Sequence, residues 1–399
     1  MPIGTAVHER TIKLCESLNY REWSGYYAPS VYEMHHEHEY NAIREACALI
    51  DISPLYKYAV GGRDAARLLD RIVTRDLARV APGQVAYAVW CDERGHVIDD
   101  GTVQRLGPDE FRLTAADPSF RWLHLNAPGM QVRIEDVSEK VAALALQGPT
   151  SGRLLMKAAQ ADIAGLKYFR ITRGTIAGVP VEISRTGYTG DLGYEIWMPW
   201  KDAVKVWDEL AETGRHFDLH AAGMLALDVA RIEAGLILIE ADYTSSRRAL
   251  IDAQRYTPYE IGLGKLVHLD KPHFVGRDAL VEANRRGPGR VLAGLAVDWS
   301  DVETLFERFG LTPSVPGTAS RTAVPVFSGR RQVGRATSTT WSPTLKSMIA
   351  LASVPPGHAE PGTRLRMEMT VEATRGTVGV KVVPLPFFNP PRKTATPIA

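Results

Sequence analysis

Apolar positions along this chain recur in two periods, and the change of period marks its elements. From residue 37 to 50, EHEYNAIREACALI places apolar residues at helical spacing and predicts an amphipathic helix over the whole stretch. DISPLYKYAVGG follows with strict alternation of Tyr56, Tyr58 and Val60 against Lys57 and Ala59, which predicts a strand ending at Gly61-Gly62. RDAARLLDRIVTRDL returns to the helical period, with Leu68, Leu69, Ile72 and Val73 on one face. Short alternating runs then follow, QVAYAVWCD, HVIDDGTVQRL and EFRLTAA, each bounded by the Gly, Pro or Asp that hairpins use. PSFRWLHLNA and TSGRLLMKAA predict helices, and VAALALQGP between them predicts a buried strand closed by a Gly-Pro turn. YFRITRGTIAGVPVEISRTGYTG alternates as paired strands, while KDAVKVWDELAETG and AGMLALDVARIEAG predict helices stopped by glycine. Helices alternating with hairpins favour an α+β fold over a doubly wound parallel sheet.

The pattern changes at RRGPGR, residues 285 to 290. Beyond it the chain is short strands and turns: VLAGLAVD, AVPVFSG, QVGRATSTT, MIALASV, RLRMEMTV and TVGVKVV, with one helix at DVETLFERFG. The spacing predicts a separate all-β domain, a sandwich or a barrel, over residues 285–386. LTPSVPGTAS reads as a surface loop, and residues 387–399 as a tail whose NPPRKTATPIA is expected to be disordered.

Composition narrows the function classes. A hydrophobic fraction of 45% and a charged fraction of 23% are those of an ordinary globular chain, and 399 residues suggest two or three domains. A net charge of +1 offers no electrostatic reason to expect nucleic acid or a membrane surface, and no apolar run reaches the length of a membrane span. Cys15, Cys47 and Cys91 lie far apart with no CxxC, and the first twenty residues lack an apolar signal core, so a reducing cytoplasm is the expected compartment. Dinucleotide (GxGxxG after a strand), P-loop and GxSxG signatures are all missing.

Three stretches carry candidate chemistry. EMHHEHEY sets His35, His36 and His38 among Glu33, Glu37 and Glu39 but lacks a spaced ligand set, so a solvated helix start is favoured and no metal is expected. GHVIDDGT holds Asp99 and Asp100 side by side. On a strand they face opposite ways, and residue type alone favours a polar pair near a turn. RTGYTGDLGYEIW, residues 185–197, surrounds Glu195 with strand residues after a turn containing Gly187, Gly190 and Gly193. A carboxylate there is costly without a partner. Two readings stand open. Glu195 pairs with an arginine across a hairpin, or it accepts two hydrogen bonds from an amidine-like ligand edge while Tyr188 supplies an aromatic face and the glycines admit a flat ligand.

Taken together, EHEYNAIREACALIDIS, GGRDAARLLDRIVTRDL, PGQVAYAVWCDERGHVIDD, LALQGP, SRTGYTGDLGYEIW, DVARIEAGL, YEIGLGKLV, FVGRDAL and ATSTTWSPTLKSMIALASV resemble the glycine-cleavage T-protein (aminomethyltransferase) family nearly end to end. The resemblance implies a three-domain ring around tetrahydrofolate, with two intertwined α+β domains in residues 1–284 and the β domain after them. It implies that Glu195 clamps the pterin edge, that Tyr188 and Tyr87 line the pterin slot, and that Asp100 stands where one-carbon transfer occurs. A carboxylate beside the folate nitrogen orients the nucleophile and stabilises developing positive charge.

The chain departs from the family pattern where the donor is read. Leu227 stands at the position of an arginine that meets the folate tail, Asp51-Ile52-Ser53-Pro54-Leu55 replaces Asp-Val-Ser-His-Met, and Leu238-Ile239-Glu240 follows the EAG in place of Leu-Tyr-Gly. These departures resemble the tetrahydrofolate-dependent demethylase branch, whose donors are small N-, S- or O-methylated molecules. Trp23, Tyr26, Tyr27 and Tyr32 are candidates for an aromatic wall holding an onium methyl. The alternatives are an aminomethyltransferase of a glycine cleavage system, served by a lipoyl carrier protein, and a folate-binding accessory protein without turnover. The latter's Lys-Gly-Cys-Tyr-x-Gly-Gln motif has no counterpart in RIEAGLILIEADY.

Overall fold

The computed structural model describes residues 1–396 and divides into two compact units. The first comprises Met1–Ala88, Asp99–Ala230 and the segment from Asn389; the second comprises Val89–Ile98 and Arg231–Phe388. The helix-and-hairpin alternation is realised as an α+β architecture.

A seven-stranded sheet organises the first unit, in the order Ala159–Gln160, Ile171–Ile176, Val179–Ser184, Gly193–Pro199, Val141–Gln147, Cys47–Asp51, Leu219–Ala221. Its centre is nearly all apolar, as expected of strands covered on both faces. Leu144, Leu146, Ile183, Tyr194 and Ile196 are fully buried. The helices Ser151–Ala158 and Ala203–Gly214 press Leu154, Leu155, Val206 and Leu210 onto the same core. A second antiparallel sheet pairs Glu110–Ala115 with Tyr56–Gly61 and with Val97–Arg105.

One element differs from the sequence pattern. The helix expected over 37–50 ends at Glu45, and Cys47–Asp51 is a strand of the seven-stranded sheet. It pairs antiparallel with Val141–Gln147 and parallel with Leu219–Ala221. Cys-Ala-Leu-Ile is buried at every position, so its apolar run carries no period to separate helix from strand, and sheet neighbours decide.

In the second unit, six strands between Val291 and Val383 close into a barrel, which realises the all-β C-terminal domain. Val326, Ala350, Val354, Met367 and Val378 fill it. The RIEAG stretch is anchored in this unit. Arg231 and Asp242, whose side chains are both wholly buried, pair at 2.6 Å, and Ser338, Thr337 and the Leu238 backbone amide also donate to the acid. A buried pair of this kind is costly to break singly because the remaining charge is stranded. No helix among the described residues is long and apolar enough to cross a membrane.

Candidate functional site

Glu195 lies in the middle of the seven-stranded sheet, opposite Ser184 on one neighbouring strand and Ala145 on the other. Strand alternation puts Thr186, two residues beyond Ser184, on Glu195's face. The Thr186 hydroxyl donates to Glu195 Oε2 at 2.7 Å. Its single hydrogen is thereby used, so the Ser184 hydroxyl has its one hydrogen to offer to Thr186 at 2.8 Å or to the Glu195 backbone carbonyl at 3.4 Å. Ser184 in turn accepts from the Trp197 indole nitrogen at 3.3 Å. Trp197, Ser184 and Thr186 thus form a hydrogen-bonded row that ends on the carboxylate, and such rows polarise one another.

The arginine reading of Glu195 does not describe this arrangement. Arg112 is close enough to pull on the carboxylate, yet it spends its hydrogen bonds on Glu182 and on Gln104 at 3.0 Å, and lies over the Trp197 ring at 4.7 Å. Burial raises the Glu195 carboxyl above its ordinary value, while Thr186, Ser184 and Arg112 oppose the rise. Glu195 is half-buried, and Thr186 meets only one of its two oxygens.

Two glycines of the loop face a buried side chain. A Cβ on Gly187 would lie 2.0 Å from the Gln147 side-chain oxygen, and one on Gly193 2.1 Å from it. These two glycines make room for Gln147, the glutamine of LALQGP, which is fully buried. Its amide nitrogen donates to the Thr186 and Tyr194 carbonyls at 3.3 and 3.2 Å, and its oxygen accepts from Thr189 at 2.9 Å. The two signature motifs are thus one interlocked piece. Gly190 alone has the positive φ, 74°, of a turn glycine.

The adjacent acids on the strand Val97–Arg105 divide as strand geometry requires. Asp99 is fully buried and accepts from the Ala116, Asp117 and Asp100 backbone amides at 3.1, 2.9 and 2.8 Å. Burial, reinforced by the Asp100 charge, pushes its carboxyl well up. Its work is to fasten the chain after Glu110–Ala115. Asp100 on the other face is half-buried and accepts from the Tyr87 hydroxyl at 2.6 Å. Burial and then Asp100 raise the Tyr87 phenol well above its ordinary range, and Tyr188 is near enough to add to the rise. Tyr87 therefore keeps its proton and donates. The structure brings Tyr87, Asp100 and Tyr188 together and sets Glu195 on the strand that follows the Tyr188 loop.

The four aromatic residues proposed as a wall are not gathered in one place. Tyr26 packs on Trp200 at 5.6 Å and lines a cleft of about 420 Å³ with Tyr56, Asp136 and Glu139. Tyr27, on the opposite face of the strand Tyr26–Val31, stacks on His8 at 5.9 Å. Trp23 pairs with Tyr26 across the hairpin, and Tyr32 is buried beside Glu39 and Asp51. In the histidine cluster, Glu39 accepts from the Tyr32 and Gly223 amides at 2.6 and 2.7 Å, and His38 contacts Glu33 at 2.8 Å. Among the described residues no group of three or more His, Cys, Asp or Glu is arranged to hold a metal. Leu227 is buried in the helix Met224–Glu233, and its neighbour Asp228 pairs with Arg21 at 3.4 Å.

Sequence reasoning passed over three contributors inside the motifs it quoted, Thr186, Ser184 and Gln147. A hydroxyl two residues from the strand position facing Glu195 was the available signal. The tail differs from its disordered expectation. Residues 389–396 are instead bound to the same loop, through Arg185 and Asp191; residues 397–399 lie outside the described residues.

Comparison with known proteins agrees with this layout. Residues 15–271 match the model of the GCVT N-terminal domain, and residues 307–389 match the glycine cleavage T-protein C-terminal barrel domain. An aminomethyltransferase of Caldanaerobacter subterraneus subsp. tengcongensis is 34% identical over 334 residues, 82% of each chain. Another, from Halothermothrix orenii, is 34% identical over 88% of this chain and 90% of that one. A trimethylamine-oxide aldolase of Ruegeria pomeroyi is 34% identical over 97% of this chain, which spans only 47% of that longer protein. The crystal structure of glycine cleavage system aminomethyltransferase T from Bartonella henselae superposes with a TM-score of 0.81 at 24% identity, over 98% of this chain and 99% of that one, and shows the same fold.

Proposed function

Since this chain belongs to the glycine-cleavage T-protein family, we propose that it is a tetrahydrofolate-dependent one-carbon transferase acting as a demethylase on a small N-, S- or O-methylated donor. The observation that carries the folate reading is the acceptor at Glu195. A row of three hydrogen-bonding side chains ends on Oε2 of the Glu195 carboxylate, which keeps a second lone pair there and both on Oε1, so that the two oxygens can each accept one of the paired N–H groups of an aminopyrimidinone edge, the geometry in which a carboxylate binds most strongly. Tyr188 and Tyr87 supply aromatic faces for the flat ring.

When bound, tetrahydrofolate supplies a nucleophilic nitrogen as the one-carbon acceptor. The chain's own residues do the rest. Glu195 fixes the pterin's orientation. Asp100 would stand beside the acceptor nitrogen, where its carboxylate would orient that nitrogen and stabilise positive charge as the carbon transfers. Tyr87, kept protonated by burial and by Asp100, holds that carboxylate in one position.

The donor assignment has two sources of support. Leu227 and the Ile52–Leu55 stretch depart from the T-protein pattern, and the Ruegeria relative named for trimethylamine oxide aligns along almost the whole chain. A second reading, aminomethyl transfer from a lipoyl carrier protein, is favoured by the names of the other relatives.

The test begins with calorimetric titration of anaerobic protein with tetrahydrofolate, wild type beside Glu195→Gln. Saturable binding that the variant weakens supports the clamp; an unweakened variant removes it. Methylated amines, amine oxides, sulfonium compounds and aryl methyl ethers are then offered, and the folate product is weighed. Turnover only with an aminomethyl-loaded lipoyl carrier would overturn the demethylase reading in favour of the second.

A further inference from the structure

Loop 186–190, which carries Thr186 and Tyr188, is bracketed by Arg185 and Asp191, and both of these are gripped by one short segment some two hundred residues later. Arg185 is fully buried. Its guanidinium donates to the Thr396 hydroxyl at 2.7 Å, to the Ala395 carbonyl at 2.6 Å, and to the Arg392 and Lys393 carbonyls at 3.3 and 3.4 Å. At the other end Arg392 forks onto Asp191, Nε to Oδ1 at 2.6 Å and Nη2 to Oδ2 at 2.8 Å. The same Nη2 reaches the Arg44 carbonyl at 3.0 Å. Arg44 donates to the Thr189 carbonyl at 2.9 Å, so the middle of the loop is held by the same group of residues. The Asp191 side chain is wholly buried while that of Arg392 is 39% exposed. A cation from the surface thus satisfies an acid in the interior.

We infer that Arg392 is a positioning residue for the folate site: through Asp191 it locks the loop that presents Tyr188 and Thr186. This rests on the folate reading above. Nothing else on the segment supplies its planar two-point grip, which a lysine ammonium cannot reproduce. With Arg392 absent, Asp191 retains only Arg44 at 3.5 Å among its ion pairs in the described residues. A buried acid so weakened lets its loop shift, and a displacement of about 1 Å at a positioned group costs on the order of 10²-fold in rate. Arg392 touches neither Glu195 nor Asp100 in any hydrogen bond of the described residues, so its influence on both is indirect.

The experiment compares full-length wild type, Arg392→Ala and Arg392→Lys in two measurements. The first is amide hydrogen exchange on the ligand-free proteins. The inference expects faster exchange in residues 186–192 of Arg392→Ala, an intermediate rate for Arg392→Lys, and unaltered exchange in the barrel strands. The second is anaerobic titration with tetrahydrofolate, expected to weaken about 10- to 100-fold in Arg392→Ala and less in Arg392→Lys. Unchanged loop exchange overturns the inference. Faster exchange with undiminished affinity overturns it as well, since the loop would then be loosened without consequence for the site. Exchange accelerated throughout the protein marks Arg392 as a general stabiliser and also overturns it. Wild-type protein that binds no tetrahydrofolate sinks the folate reading alone, and the exchange measurement still decides whether Arg392 locks the loop.

Discussion

The Tyr87 hydroxyl donates to Asp100 Oδ2 at 2.6 Å, and its phenol is raised so far by burial and by that carboxylate that the donor is permanent at neutral pH. Tyr87 thereby helps to fix the orientation of Asp100, the carboxylate proposed to act in transfer. Asp100→Asn is expected to lower kcat about 10²–10⁴-fold, the usual worth of a carboxylate acting on a proton or a developing charge. Tyr87→Phe removes one hydrogen bond to a charged group and is expected to cost about 10- to 100-fold in kcat. The double variant should be little worse than Asp100→Asn, because the phenol works through the acid. Steady-state rates for the three variants decide; fully additive losses would separate the two residues.

Glu195 should show a conflict between stability and binding. Burial raises its carboxyl in the folded protein. A carboxyl raised on folding contributes stability that is complete below its unfolded value and is lost as pH climbs through the raised one. At neutral pH the anion therefore costs the ligand-free protein stability. Glu195→Gln should raise the melting temperature at pH 7, with the gain shrinking toward pH 4, while weakening tetrahydrofolate about 10- to 100-fold. A variant less stable at pH 7 and equally tight for folate would remove both halves of the argument.

Gly193 and Gly187 owe their identity to Gln147. A methyl group on either would sit about 2 Å from the amide oxygen, far inside contact distance, and Gln147 is fixed by three hydrogen bonds. Gly193→Ala should destabilise the protein by about 1–3 kcal/mol or more, as overpacking does. Gln147→Ala should also destabilise it by stranding two carbonyls. The pair combined should lose less than the sum of the two, since removing the amide vacates the space the methyl needs. Urea unfolding of the three variants measures the coupling, and strict additivity would mean the glycines are required for another reason.

Much of this was legible beforehand, for reasons that lie in period and chemistry. Leu68, Leu69 and Ile72 share a helix face, and the short strands after residue 290 repeat at a spacing that suits a small barrel. Cys47 to Ile50 had no readable period because every position is buried. The puzzle of Glu195 could be posed from the sequence, since an acid among Tyr194, Ile196 and Trp197 is out of place, and the family resemblance suggested a ligand. What could not be read was how the chain prepares it. Gln147 sits 46 positions before Gly193, and sheet pairing alone brings them together. Arg392 lies in a polar, proline-rich stretch with the composition of a disordered tail. Its order comes from Asp191 and Arg185, whose unmet hydrogen bonds are invisible until the fold is formed.

Lys57 gives a pH test of the first unit that does not involve the site. Its side chain is fully buried in the strand Tyr56–Gly61, and its ammonium donates to the Ser53 and Leu55 carbonyls at 2.6 and 2.7 Å. Burial pushes its pKa down to about 7, with Arg112 adding to the fall and Asp51 and Asp136 opposing it. Between that value and the unfolded one, 10.5, the unfolded chain holds a proton that the folded chain has released. Stability from this residue therefore rises with pH across that window, at up to ~1.4 kcal/mol per pH unit, and is flat below it. Lys57→Met removes the titration and, by forfeiting two hydrogen bonds, adds a loss that does not depend on pH. The stability of wild type minus that of Lys57→Met should thus stay constant at pH 5–6 and grow steadily from pH 7 to 9. Unfolding free energies from urea titrations at those values measure it. Two curves that stay parallel up to pH 9 would mean that Lys57 remains charged in the folded protein, with its two carbonyls and Asp51 outweighing burial.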